Sequence, residues 1–202
     1  MSIASRKEKE KADKRSLILD GARKIFLEKG YEGTSIRSIA TEIEHSPGTI
    51  YLYFKDKDDI FHALHTEGFS RMLQMMEPLR FVSDPFERLV ALGRVYLQFA
   101  KDNRDFYDLM FLTESPLKHE KEEGKWVMGD RTLDALKMII KECQDAGHFK
   151  GKDINYLSFI IWSAVHGMAT LYTRNRCMSY DENPEKLMEF GFKYFIEMLR
   201  KL

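Results

Sequence analysis

The sequence predicts an all-α protein, with a three-helix unit near the N-terminus and a larger helical domain behind it. Three observations carry that prediction. Apolar residues recur at helical spacing in segments of ten to twenty residues, and no stretch sustains the period-two alternation of a strand. Capping residues followed by proline stand at two expected helix starts, Ser46-Pro47 and Asn183-Pro184.

The chain has 202 residues, enough for one large domain or two small ones, and can bury a proper core. Hydrophobic residues make up 44% and charged residues 32%, which is globular usage and not that of a disordered chain. The formal net charge is zero, which argues against a protein that coats nucleic acid indiscriminately. No apolar run approaches the roughly 20 residues needed to cross a bilayer, and the first fifteen residues are charged, so the expectation is a cytoplasmic protein without a membrane segment. Cys143 and Cys177 lack paired spacing and read as free, buried thiols.

Charge is unevenly placed. Through Arg15 there are six basic residues (Arg6, Lys7, Lys9, Lys11, Lys14, Arg15) against three acidic ones (Glu8, Glu10, Asp13). Residues 1–15 therefore read as a flexible basic arm. A first helix follows, with Leu17, Ala22, Ile25 and Phe26 on one face and Gly30 placed to end it in a left-handed cap. Ile36, Ile39, Ala40 and Ile43 form a narrow apolar stripe on a second, two-turn helix capped by Thr34 or Ser35. Ser46 and Pro47 open a third, with Ile50 and Phe54 as its core face. Asp56 caps a fourth carrying Ile60, Phe61 and Leu64. The boundary is expected after residue 62, giving units 16–62 and 63–202.

Beyond Pro85, Phe86, Leu89, Val90, Gly93, Tyr96, Leu97 and Ala100 mark a further helix. A short segment around Phe106, Leu109 and Met110 follows the turn at Asp102-Asn103, and a polar loop runs from Ser115 to Gly124. Val127, Leu133, Leu136, Ile140 and Cys143 mark the next helix, closed near Gly147. The segment from Asp153 to Thr173 is apolar almost all round. Asn183-Pro184 caps a last, amphipathic helix with Leu187, Gly191, Tyr194, Phe195 and Met198. These two helices imply more burial than one small subunit provides, and so a homodimer.

Two short helices joined by a tight turn satisfy the geometry of a helix-turn-helix. On a wheel referenced to Ile50 and Phe54, the outward face of the second carries Gly48, Thr49, Leu52 and Tyr53, with Tyr51 and Lys55 at its flanks. Hydroxyls there suit base edges or phosphates, Gly48 permits close backbone approach, and Leu52 suits a thymine methyl. Tyrosines on a short helix also serve as packing residues, and periodicity alone leaves both uses open.

The runs Ile18 to Phe26, Gly30-Tyr31-Glu32-Gly33-Thr34-Ser35-Ile36-Arg37-Ser38-Ile39-Ala40 and Ser46-Pro47-Gly48-Thr49-Ile50-Tyr51-Leu52-Tyr53-Phe54-Lys55-Asp56-Lys57 closely resemble the DNA-binding domain of the TetR family of regulators. The resemblance implies that Thr34, Ser46, Tyr51 and Lys57 hold phosphates, and that Pro47, Gly48, Thr49, Leu52 and Tyr53 face base edges. Pro47 departs from the longer polar side chain many relatives carry there. Trp162-Ser-Ala-Val-His166-Gly167, together with Tyr96 to Ala100 and Phe106 to Phe111, resembles one branch of the family's C-terminal domains.

The resemblance implies a repressor that binds double-stranded palindromic operator DNA as a dimer and releases it on binding a small, mostly apolar effector of unknown identity. Tyr96, Phe99, Phe106, Trp126, Trp162 and His166 are the candidate effector-binding residues. Two other classes remain open: a helical small-molecule enzyme and an architectural DNA-binding protein without effector. Against the first, no nucleophile, carboxylate pair or phosphate loop accompanies His166 at recognisable spacing. His62 and His65, at i and i+3, lack further ligands for a metal. No catalytic residue, metal or cofactor is expected.

Overall fold

The computed structural model describes residues 3–113 and 127–202, and no strand occurs among them. In chain order the helices are α1 (Ile3–Gly33), α2 (Ile36–Glu42), α3 (Pro47–Tyr51), α4 (Lys57–Met76), α5 (Pro85–Asp102), α6 (Arg104–Tyr107), α7 (Val127–Asp145), α8 (Ile154–Thr173) and α9 (Pro184–Leu199). A π-helical turn, Asp108–Leu112, continues α6. The polar loop expected from Ser115 to Gly124 lies outside the described residues.

The described residues fall into two compact units, one of residues 3–69 with 105–113 and one of residues 70–104 with 127–202. The boundary expected after residue 62 thus lies seven residues further on, inside α4, and the first unit takes in the segment after Arg104 as well. The reason is tertiary. The α4 positions Leu64 and Phe69 are buried among residues of the first unit, where Gly68 lets Met110 and Phe106 pack directly on the helix backbone; a Cβ there would lie 2.5 Å from the Met110 Sδ.

The core of the first unit is the stripe set read from the sequence. Ile18, Ala22, Ile25 and Phe26 of α1, Ile39 and Ala40 of α2, Ile50 of α3, Phe54 after it, and Ile60, Phe61 and Leu64 of α4 are all buried. α1 crosses α2 so closely that a side chain at Gly21 would overlap that of Ile43. Gly30 interrupts α1 at φ 70°, ψ 175°. This is not the left-handed cap expected; it is an extended conformation of positive φ that only glycine adopts readily, and it redirects the chain.

Residues 3–15 form no flexible arm: α1 begins at Ile3. The stretch has no glycine or proline and is rich in Lys, Glu, Arg and Ala, all good helix formers. It extends a helix already nucleated by the packed residues behind it, so each added residue costs only propagation, and Arg6 pairs with Glu10 one turn on at 2.9 Å.

In the second unit α5 packs on α7 and α8, and α8 on α7 and α9. Asp84, Asp153 and Asn183 cap α5, α8 and α9 by accepting backbone N–H bonds, and proline fills the first position of α5 and α9. The free thiols Cys143 and Cys177 are buried, and burial pushes that of Cys143 up to about 11, which makes it unreactive. α8 corrects a further expectation: its 20 residues are long and apolar enough, by length and composition alone, to cross a membrane. Its inner face, with Leu157, Ile161, Val165 and Ala169, is nonetheless buried against the unit, while Tyr156, Phe159, Ile160 and Leu171 are exposed.

His65 is buried between Phe61 and Phe69, and its Nε2 meets the Met110 carbonyl at 3.2 Å. Burial lowers its pKa from 6.5 to about 4. The unfolded chain therefore takes up this proton first as pH falls, and stability present above pH 6.5 is lost progressively toward pH 4. Urea unfolding should show the native chain losing roughly 2 to 3 kcal/mol more than His65→Gln between neutral pH and about pH 4.5. Parallel losses in the two proteins would show that His65 titrates alike folded and unfolded.

Candidate nucleic-acid interface and ligand cavity

α2 and α3 are each fixed by their own caps. Ser35 accepts from the Ser38 N–H at 3.1 Å and donates its own N–H to Ser38 Oγ at 3.0 Å, a reciprocal box. Ser46 Oγ accepts from the Thr49 N–H at 3.2 Å and lies 3.1 Å from the Thr49 hydroxyl. Between the helices Glu44 takes a left-handed conformation, φ 55°, which reverses the chain. His45 locks that turn: its Nδ1–H donates to the Ile43 carbonyl at 2.6 Å, and its Nε2 accepts from Lys14 Nζ at 2.8 Å. The Arg15 guanidinium lies 4.9 Å from the centre of the Phe54 ring, so α1 holds α3 at both ends.

α3 is shorter than expected, with Leu52 as its C-cap and Tyr53 in the turn beyond. The burial of Ile50 and Phe54 turns the rest outward: Tyr51 is 58% and Leu52 79% exposed. Ser46 and Gly48 are also exposed, and Pro47, Thr49, Tyr53 and Lys57 are partly so. These eight predicted residues share one short stretch of surface.

Thr34, the ninth, does not join them. It is 3% exposed, and its hydroxyl donates to the Gly30 carbonyl at 2.7 Å. That bond satisfies a carbonyl freed where Gly30 breaks α1, so Thr34 is a structural clasp in this conformation. Lys57 is partly engaged as well. Its Nζ donates to the Tyr31 carbonyl at 2.9 Å and lies 4.1 Å from the Tyr31 ring centre. An ammonium has three donors, so this bond leaves capacity for a phosphate. Tyr31 is buried and its hydroxyl donates to Asp58, and both effects hold its pKa above the usual phenol value.

In the second unit Tyr96 and His166 come together with Trp162. The Trp162 Nε1–H donates to the Tyr96 oxygen at 3.4 Å, and the Tyr96 oxygen lies 2.9 Å from His166 Nδ1. Thr170 Oγ1 stands 3.5 Å from His166 Nε2. Burial holds the imidazole below its usual pKa, which favours the neutral ring with Nδ1 accepting from tyrosine. Tyr96 and Trp162 border a cavity of ≈ 50 Å³ with Leu89, Leu92, Leu136 and Phe192. Sequence reading missed these four aliphatic and aromatic walls, although Leu89, Leu92 and Tyr96 recur at i, i+3 and i+7.

The cavity is far below the roughly 300 Å³ of a typical ligand site. Phe192 narrows it by lying on Gly93, where a Cβ would come within 2.7 Å of the ring. Three expected lining residues do not border it: His166 stands behind Tyr96, to which it is hydrogen-bonded, and two others sit elsewhere. Phe99 is wholly buried in the core, and Phe106 belongs to the first unit, where the Arg23 guanidinium lies 4.9 Å from its ring centre. Trp126 lies outside the described residues.

Both units resemble known proteins. Residues 18–64 match the family described as bacterial regulatory proteins, tetR family, and residues 89–194 match the tetracyclin repressor-like C-terminal domain. The HTH-type transcriptional repressor AcnR of Corynebacterium glutamicum is 37% identical over 143 residues, 67% of this chain and 69% of the relative. The fatty acid metabolism regulator protein of Bacillus subtilis is 26% identical over 174 residues, covering 83% of this chain and 87% of that protein. The crystal structure of the transcriptional regulator FadR from Bacillus subtilis in complex with stearoyl-CoA shares the fold, with a TM-score of 0.72 at 20% identity over 90% of this chain and 97% of the other.

Replacing Tyr96 by Phe removes the hydroxyl that Trp162 and His166 share. Thermal unfolding should report a loss of about 1 kcal/mol. An unchanged midpoint would mean that the hydroxyl contributes nothing to the fold.

Proposed function

The chain belongs to the TetR family of bacterial regulatory proteins, and from that premise we propose that it is a repressor that binds a palindromic operator as a homodimer through α3 and is released by a mostly apolar effector held in the second unit. It is a transcriptional regulator and not an enzyme. The observation that carries the proposal is the exposed surface from Ser46 to Tyr53, capped at its start and pinned from behind by Ile50 and Phe54. Thr49 and Tyr53 offer hydroxyls to base edges, Leu52 an apolar contact, and Lys57 a point charge to phosphate.

Two glycines support the dimer. Gly167 of α8 and Gly191 of α9 sit inside helices, where glycine costs about 1 kcal/mol relative to alanine, yet a side chain at either would meet nothing within 4 Å of its own chain. On α8, Gly167 stands in a row with exposed Tyr156, Ile160 and Leu171; on α9, Gly191 stands with exposed Tyr194 and Met198. Such bare, apolar rows suit close packing against a second copy.

The effector cavity joins an aliphatic wall to the Tyr96, Trp162 and His166 hydrogen-bond chain, which suits an apolar body with one polar end. The stearoyl-CoA carried by the Bacillus subtilis FadR makes acyl chains the first ligands to test. Binding requires Phe192 to leave Gly93, so effector binding selects a more open second unit. α4 runs without a break from the first unit into the second and provides the covalent route for coupling.

On a duplex selected from a random pool, Thr49→Ala and Tyr53→Phe should each cost about 1 to 3 kcal/mol of affinity and much less on random DNA. Lys57→Ala should weaken both alike. Equal losses on both DNAs for Thr49→Ala and Tyr53→Phe would overturn base reading by α3. Gly167→Leu combined with Gly191→Leu should give a helical monomer in sedimentation experiments, whereas a retained dimer would place the interface elsewhere.

A further inference from the structure

We infer that the helical extension of α1 is a second DNA-binding element, in which Lys7 and Lys11 grip the phosphate backbone beside the segment that α3 reads. The inference rests on the DNA-binding role proposed for α3 and extends it to a surface outside the helix-turn-helix.

The register of α1 carries the argument. Lys7, Lys11 and Lys14 stand at i, i+4 and i+7, and the same row continues through Ile18, Ala22 and Ile25, which are buried. One face of one helix therefore changes character along its length: apolar where it packs, cationic where it runs free. The changeover is fixed in space by Lys14, whose ammonium bonds His45, the residue just before the cap of α3. From there Lys11 and Lys7 lie about 4.5 and about 10.5 Å further along the helix axis. Both are exposed.

Charge separates this face from the others. Glu10 is paired with Arg6 off the row, Asp13 lies on the far side, and Glu8 stands about a quarter turn away. A merely solvated helix has no need to gather three of the four lysines of residues 3–15 on the row that points at the helix-turn-helix. Duplex DNA is the occupant that fits, because it offers about one negative charge per 1.7 Å along its axis and is the molecule α3 is shaped to meet. A rigid helix also presents the two charges without the ordering cost of a loose arm.

The test compares the full chain with Lys7→Gln/Lys11→Gln and with Arg6→Gln/Lys9→Gln, which removes equal charge from other sides of the same helix. Gln keeps the helix nearly as well as Lys. The probe is a random-sequence duplex long enough to extend past a bound dimer, titrated at several salt concentrations. Lys7→Gln/Lys11→Gln should lower the slope of log affinity against log salt by about two per subunit, and Arg6→Gln/Lys9→Gln by less than half as much. If the native chain binds but the first variant keeps its slope, or both variants lose equally, this inference fails while the reading of α3 stands. A native chain with no affinity for duplex DNA overturns both.

Discussion

Everything the first unit can do depends on the burial of Ile50 and Phe54. A helix of five residues has no stability of its own, because nucleation is not repaid within so few hydrogen bonds. α3 exists because Ile50 is wholly buried, Phe54 nearly so, Ser46 caps its start, and α1 braces both ends through Lys14 on His45 and Arg15 over Phe54. With those two side chains fixed inward, helical geometry leaves Gly48, Thr49, Tyr51 and Leu52 no direction but out. The surface proposed to read DNA is thus a consequence of the core, and its precision is that of the core.

The second unit follows a different logic. Its cavity is small because Phe192 lies against the bare backbone at Gly93, and its polar chain through Tyr96 is internally bonded. In the proposed function, an effector that enters must displace ring packing and offer its own partner to the tyrosine or histidine. That exchange gives the ligand differential affinity for two states, which is the thermodynamic requirement for a switch. His65, held against the Met110 carbonyl, ties α4 to the π-helical turn after α6 inside the first unit, so α4 is anchored on its first-unit side by more than apolar contact.

Local features were legible in the sequence. Caps at Ser46, Asp56 and Asn183 and the stripes through Ile39 and Ile60 depend on neighbours within one or two turns, and all were placed correctly. Features set by distant parts of the chain were not. The phosphate role of Thr34 came from the family resemblance alone, and in this conformation its hydroxyl is turned to the Gly30 carbonyl four residues back. The basic N-terminus was read from composition as an arm, although its lack of glycine and proline already permitted a helix. Phe99 and Phe106 have the chemistry of a ligand wall, but only tertiary packing shows them in the core. In α8, polar residues such as Ser158, Ser163 and His166 disguised a helix apolar enough to span a bilayer.

The central claim is that α3 reads a symmetric sequence once per subunit. Its most direct test is enrichment of duplexes bound by the full chain from a random pool, followed by sequencing. The account predicts a single enriched motif with two inverted half-sites, since each subunit of a two-fold dimer presents the same surface. Enrichment of no motif, or of one without inverted symmetry, would contradict it.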